Sequence, residues 1–246
     1  MSDSDNDWRM QDVQHLAEDW TSPWTGVVSP KGTQITLQSV TQLTKKKQLS
    51  IVLPNATAIC LSASKRSWKE AQSIRLNSNI DKSLKKEVRF TSTAESFDYL
   101  ERSIESIIMA FTALEAFVNE NIPDDFEYHA SKKSKVALEI MDKKEIERWL
   151  SLDEKLSLVL PTAKNIDSPK GSKCWQGYKD LKTIRNRIIH MKKEDRRSSG
   201  PEIPTLWHKL FKLSAPHDQA KDMIDYFIKR SEIEPRWHSE YNERKT

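Results

Sequence analysis

The stretch "FDYLERSIESIIMAFTALEAFV", Phe97 to Val118, decides the fold class. Phe97, Leu100, Ile104, Ile107, Phe111, Leu114 and Val118 recur at three- and four-residue steps, which lays one apolar stripe along a long helix. Ser92 precedes the pattern and Pro123 ends it. Around it the chain of 246 residues has only five glycines and is rich in Lys, Glu and Leu, so it reads as mainly α.

Downstream, "KVALEIMDKKEIERWLS" carries one or two shorter helices. Ser151 opens "SLDE", a capping box with Glu154 three residues on, ahead of Leu156, Leu158, Val159 and Leu160; Pro161 is expected to stop that helix. The stretch "YKDLKTIRNRIIHMKK", Tyr178 to Lys193, reads as the next helix, between a Gly-broken loop and the breaker "RRSSGPEIP". A short segment around "TLWHKLF" follows, and Ser214 is the candidate cap for "APHDQAKDMIDYFIKR". These amphipathic segments, joined by short to moderate connections, make an antiparallel four-to-five-helix bundle the simplest architecture.

The first third reads differently. "TQITLQSV", "QLSIVLP" and "ATAICLSAS" are short β-branched runs between polar breaks, so an N-terminal extension bearing short β-strands is expected. The three lysines at 45–47 read as a hairpin tip, and residues 64–90 as loop plus a helix. The division expected is an extension over 1–91, a helical domain over 92–235 and a polar tail over 236–246.

Composition excludes several classes. Cys60 and Cys174 are too few and too far apart for a disulfide framework or a CxxC site. The six histidines form no zinc-like cluster, and five glycines leave no phosphate loop or dinucleotide fingerprint. No metal and no cofactor is expected. The polar, acidic start lacks the order of a signal peptide, and no apolar run spans a membrane. A soluble cytoplasmic chain is the expectation.

Within Tyr178–Lys193, Leu181, Ile184 and Ile188 form the core stripe, and His190 falls nearly opposite at about 100° per residue. Asn186 lies one turn before it, and Arg185 reaches the same side. From Lys170 to Arg197 ten basic residues stand against three acids, so a net charge of only +4 hides a local patch suited to phosphate. Lys179, Lys182, Arg187 and Lys193 are the candidate RNA contacts. Imidazole exchanges protons near neutrality, guanidinium clamps phosphate, and an amide can orient either. Such a set can cleave RNA without metal: the base takes the 2′-OH proton, the oxygen attacks phosphorus, and the cation stabilises the developing charge. Arg9 and His15 have similar spacing but lie in a polar stretch with no helical stripe.

"RNRIIH", Arg185 to His190, resembles the Arg-polar-x3-His signature of the HEPN superfamily of helical domains. "AFTALEAFVNENI" looks like a first helix of that family, and "SLDEKLSLVLP" like the helix before its motif helix. The resemblance covers roughly residues 92–235 and explains nothing before residue 90. It implies a homodimer in which two motif helices meet, with Arg185 as phosphate clamp, Asn186 as orienting residue and His190 as general acid/base. It implies a metal-independent endoribonuclease acting on tRNA or mRNA, a toxin or antiviral-defence effector, with an antitoxin or sensor as a further partner. Glu115 or Asn119 could add a polar contact from the first helix. Lys192 stands where some members carry a tyrosine that is AMPylated, so that switch is not expected. The alternative is a non-catalytic HEPN-like module that binds RNA, nucleotides or a partner.

Overall fold

The computed structural model describes residues 7–23, 25–78, 80, 88–130 and 139–243. It is mainly helical with a few short strands. In chain order the strands β1 (Gln14–His15), β2 (Trp20–Thr21), β3 (Val28–Ser29), β4 (Gln34–Ile35), β5 (Gln38–Thr44) and β6 (Lys47–Val52) precede the helices α1 (Ala56–Asn77) and α2 (Thr93–Asn121). Then come β7 (Tyr128–Ala130), β8 (Glu139–Met141), α3 (Lys143–Trp149), α4 (Leu152–Glu154), a π-helical turn (Lys155–Val159) and α5 (Leu160–Lys164). The chain continues through α6 (Lys173–Ile189), a 3-10 turn (Lys193–Arg196), α7 (Leu206–Leu210), α8 (Pro216–Ile228) and α9 (Arg236–Glu243).

Two compact units are present, Met1–Ile59 with Ile233–Thr246, and Cys60–Glu232. In the first, β5 and β6 form an antiparallel hairpin turning at Lys45 and Lys46, as the lysine run predicts. β1 pairs with β4 and β2 with β3, also antiparallel. The segment expected as a polar tail folds as α9, whose buried Tyr241 packs on buried Trp8 with ring centroids 5.6 Å apart. Arg236 Nη2 donates to the Asp7 carbonyl at 3.3 Å. His238, which the sequence reads as a surface or half-buried residue, is buried and contacts Glu234. Of Trp8, Trp20 and Trp24, which the sequence suggests as a small aromatic cluster, Trp8 is buried, Trp20 is exposed and Trp24 lies outside the described residues.

The run "ATAICLSAS", read as strand-like, is instead the first part of α1. Asn55 Oδ1 accepts from the Ala58 N–H at 2.8 Å, which is an N-cap. Cap and tertiary packing override the β-branched pattern. Helices α1 and α2 meet at small residues: Ser64 Oγ donates to the Ser106 carbonyl at 2.8 Å, and Ser106 Oγ to the Ser64 carbonyl at 2.9 Å. Both serines are fully buried. The unit thus begins at Cys60, ahead of the boundary expected at residue 92.

That contact rotates the buried face of α2. Ile107, Phe111, Leu114 and Val118 are buried as the stripe predicts, but in the first half Tyr99, Ser103 and Ser106 are buried and Phe97 is exposed. Tyr99 stacks on Phe211 at 4.8 Å, and this fixes the rotation. Helices α2, α6 and α8 pack on one another. Phe117 meets Phe227 at 6.1 Å and Phe111 meets Tyr178 at 6.3 Å. Burying each such side chain contributes roughly 1.5–3 kcal/mol.

Pro161 does not stop its helix. Proline has no N–H and clashes with the carbonyl four residues back. Here the backbone widens into the π-helical turn just before it, and the Ser157 carbonyl accepts from Ser168 Oγ at 2.8 Å instead. The helix runs on to Asn165, which ends it with left-handed backbone (φ 52°). The capping box of Ser151 and Glu154 is present, with Ser151 N–H to Glu154 Oε2 at 3.2 Å. Glu139–Met141, expected as helix, forms a strand paired with Tyr128–Ala130; residues 135–138 of that reading lie outside the described residues.

Candidate functional site

Helix α6 begins earlier than its spacing predicts. Ser172 Oγ accepts from the Trp175 N–H at 3.3 Å and caps it. Gly177 lies inside the helix rather than in a loop; a β-carbon there would stand 3.7 Å from Gln219 Cγ. Tyr178, Leu181 and Ile184 are buried. The last helical residue is Ile189, and His190 is the C-cap with φ −118° and ψ 62°. The helical wheel therefore does not set its direction. Its side chain is exposed, off the core as expected.

Within the motif, a side-chain bond joins Arg185 to Asn186, and His190 follows through the last backbone bond of the helix. Arg185 Nη1 donates to Asn186 Oδ1 at 3.1 Å, and the His190 N–H donates to the Asn186 carbonyl at 2.9 Å. The Arg185 guanidinium lies over the Phe111 ring of α2, 4.6 Å from its centroid. An aromatic face attracts a cation and holds the group flat against the helix pair.

Three of the four candidate RNA contacts hold carboxylates of the same unit. Lys179 Nζ donates to Asp153 Oδ2 at 3.0 Å, and Lys182 Nζ stands 2.8 Å from Asp153 Oδ1. Tyr178 Oη also donates to Asp153, at 2.5 Å. Partial burial works against the Asp153 carboxylate, but hydrogen bonds from Lys182, Tyr178 and Lys179 outweigh it and bring its pKa down to about 2. Burial, then the bond to Asp153, push the Tyr178 hydroxyl far above its ordinary value.

Arg187 forks onto Asp195, with Nε to Oδ2 at 2.5 Å and Nη2 to Oδ1 at 2.9 Å. Asp195 also accepts from the N–H groups of Lys192 at 3.0 Å and Leu206 at 2.7 Å. The bond from Arg187, then those backbone bonds, outweigh burial and hold this carboxyl well below the usual range. Asp195 thereby pins the chain just beyond His190. Lys193 is exposed at the start of the 3-10 turn.

Glu115 and Asn119 face a residue the sequence did not single out. Lys155 is fully buried, and its Nζ donates to Asn119 Oδ1 at 3.1 Å and the Glu147 carbonyl at 3.0 Å, with Glu115 Oε1 at 3.5 Å. A buried cation needs such compensation. The lone signal for it is a lysine inside an apolar run. The π-helical turn begins at this residue.

Among the described residues, no group of three or more His, Cys, Asp or Glu could hold a metal ion, and no helix is long and apolar enough to cross a membrane. No family model, curated protein or solved structure significantly matches the chain.

Proposed function

We propose that the chain is a metal-independent endoribonuclease of HEPN type, built on a HEPN-like helical bundle. One observation carries this reading: the Arg185 guanidinium, bonded to Asn186 Oδ1, and the exposed imidazole of His190 belong to the last turn and C-cap of one helix, α6. His190 takes the proton of an RNA 2′-OH, which attacks the adjacent phosphorus. Arg185, placed on Phe111, stabilises the charge that develops on the phosphoryl oxygens. The products are a 2′,3′-cyclic phosphate and a 5′-OH end, and DNA does not react.

The active form under this reading is a homodimer in which two α6 ends meet. Ile189, about half exposed beside His190, is an apolar group suited to that contact. Exposed Lys193 contacts phosphate directly, and Lys179 and Lys182 exchange Asp153 for phosphate when RNA arrives. The role proposed is that of a cytoplasmic toxin or defence effector cutting tRNA or mRNA, restrained by an antitoxin or sensor.

A second reading, a non-catalytic RNA-, nucleotide- or partner-binding module, is favoured by the engagement of Arg185 with Phe111 and Asn186. One experiment separates the two. Wild type and His190→Ala are incubated with pooled tRNA and mRNA in EDTA, and fragment 3′ ends are scored. Cyclic-phosphate fragments from wild type alone support the nuclease. RNA binding without cutting, unchanged in His190→Ala, supports the module.

A further inference from the structure

A second concave site lies on another side of α6, and it does not depend on the nuclease reading. Asp180, Thr183 and Ile184 of α6 line a cavity of about 310 Å³ with His208, Lys209, Lys212, Ser214 and Gln219. Asp180 and Thr183 stand roughly 140–160° around the helix from Arg185 at about 100° per residue. The cavity therefore opens on a different side of α6 from Arg185.

Its basic side chains differ from those of α6 in what they hold. Lys179, Lys182 and Arg187 all hold carboxylates. Among the described residues, His208, Lys209 and Lys212 make no ion pair. Three cationic or proton-binding side chains and the Ser214 hydroxyl thus gather at one hollow. Ser214 was expected to cap α8, but the N-cap is Ala215 and no side chain caps the helix. Donors and positive charge converging in a concavity favour an anion, phosphate above all.

Acceptors complete the wall. Asp180 carries a carboxylate, which takes one hydrogen bond from Gln176 Nε2 at 2.8 Å. Gln219 Oε1 is buried with no hydrogen-bond partner. A buried acceptor left unmade is costly and calls for a donor. Inorganic phosphate at neutral pH carries its one or two hydroxyls on the same charged group that Asp180 repels, whereas a hydroxylated body attached to the phosphate offers donors to both oxygens away from that charge. No Phe, Tyr or Trp lines the cavity, so a nucleobase finds no aromatic face to stack on.

We infer that this hollow binds a phosphorylated sugar or polyol, with the phosphate on Lys209, Lys212 and His208 and the hydroxyls on Asp180 and Gln219. Titration calorimetry on the full chain tests this with ribose 5-phosphate, ribose, inorganic phosphate and adenosine monophosphate. The expected result is saturable binding of ribose 5-phosphate, weaker binding of phosphate and none of ribose. Lys209→Gln and Lys212→Gln should each weaken ribose 5-phosphate about tenfold, the size of losing a hydrogen bond to a charged group. Asp180→Asn should weaken ribose 5-phosphate while leaving or improving inorganic phosphate. Circular dichroism of these variants, all at exposed or half-exposed positions, checks that they fold. Absence of ribose 5-phosphate binding by wild type, equal affinity for inorganic phosphate, tighter binding of adenosine monophosphate, or indifference to both lysine variants overturns the inference.

Discussion

The Arg185 guanidinium and the Phe111 ring lie 4.6 Å apart, centre to centre, where α2 and α6 pack. Phe111 is buried in the core, so the same ring that stabilises the helix pair also holds the arginine. The position of the proposed phosphate clamp is thereby coupled to core packing rather than left to a mobile side chain. Arg185 is also bonded to Asn186, which limits the directions its donors can take.

This coupling is measurable. Phe111→Leu removes the aromatic face while keeping an apolar side chain, and Arg185→Gln removes the cation. A double-mutant cycle by urea unfolding should return a coupling of about 0.5–1 kcal/mol. Under the nuclease reading, Phe111→Leu should also slow RNA cleavage while leaving His190 in place. A coupling near zero would mean that the ring is only core filling.

Asp153 makes stability depend on acid. Its pKa is lowered in the folded protein to about 2, from an ordinary 3.8. A depressed carboxylate contributes stability above the unfolded pKa and loses it as pH falls through the folded value. Wild type should therefore lose stability between about pH 4 and pH 2, and Asp153→Asn should lose less over that window. Urea midpoints measured at several pH values check this; parallel curves for the two proteins would refute it.

Asp195 should matter more to folding than any acid on the surface. Its carboxylate accepts two bonds from Arg187 and one each from the Lys192 and Leu206 N–H groups. Asp195→Ala should cost about 1.5–3 kcal/mol, the range for hydrogen bonds to a charged group. Hydrogen exchange should show faster opening of the segment after His190 in that variant. Unchanged exchange there would remove the pinning role.

Lys193 and Arg187 should behave differently in an RNA-binding titration. Lys193 is exposed, and Lys193→Ala should weaken binding and reduce the salt slope by about 0.7–0.9, the loss of one phosphate contact. Arg187→Ala should lower stability first, because its fork is already filled by Asp195. An equal salt-slope change in both variants would show that Arg187 leaves Asp195 for RNA.

The π-helical turn ahead of Pro161 leaves the Ser157 carbonyl to Ser168 Oγ. Ser168→Ala should cost about 1 kcal/mol in thermal unfolding, the price of one unmade hydrogen bond. No change in melting temperature would mean that the carbonyl finds another donor.

Several features could be read from the residues because their causes are local. The capping box at Ser151 and Glu154, the end of α2 before Pro123, the lysine turn of the β5–β6 hairpin and the burial of Ile107, Phe111, Leu114 and Val118 each follow from neighbours within a turn or two. His190 is exposed as its place on the helical wheel predicts, but as the C-cap beyond Ile189 it owes that exposure to the end of the helix and not to the wheel. Periodicity and capping act over a few residues, and short-range order is what they encode.

The remainder was decided by which helices meet. The buried serines of α1 and α2 turned the first half of α2, replacing Phe97 with Tyr99 at the core. Lys155 is buried because Asn119, Glu115 and the Glu147 carbonyl converge on it, and Asp153 is set by three side chains of α6. A basic run in the sequence cannot reveal that Lys179, Lys182 and Arg187 already hold carboxylates, since those partners lie on other elements. Local chemistry determined the mainly helical class and the motif's place in α6; packing decided where α1 begins, which face of α2 is buried and which charges are matched.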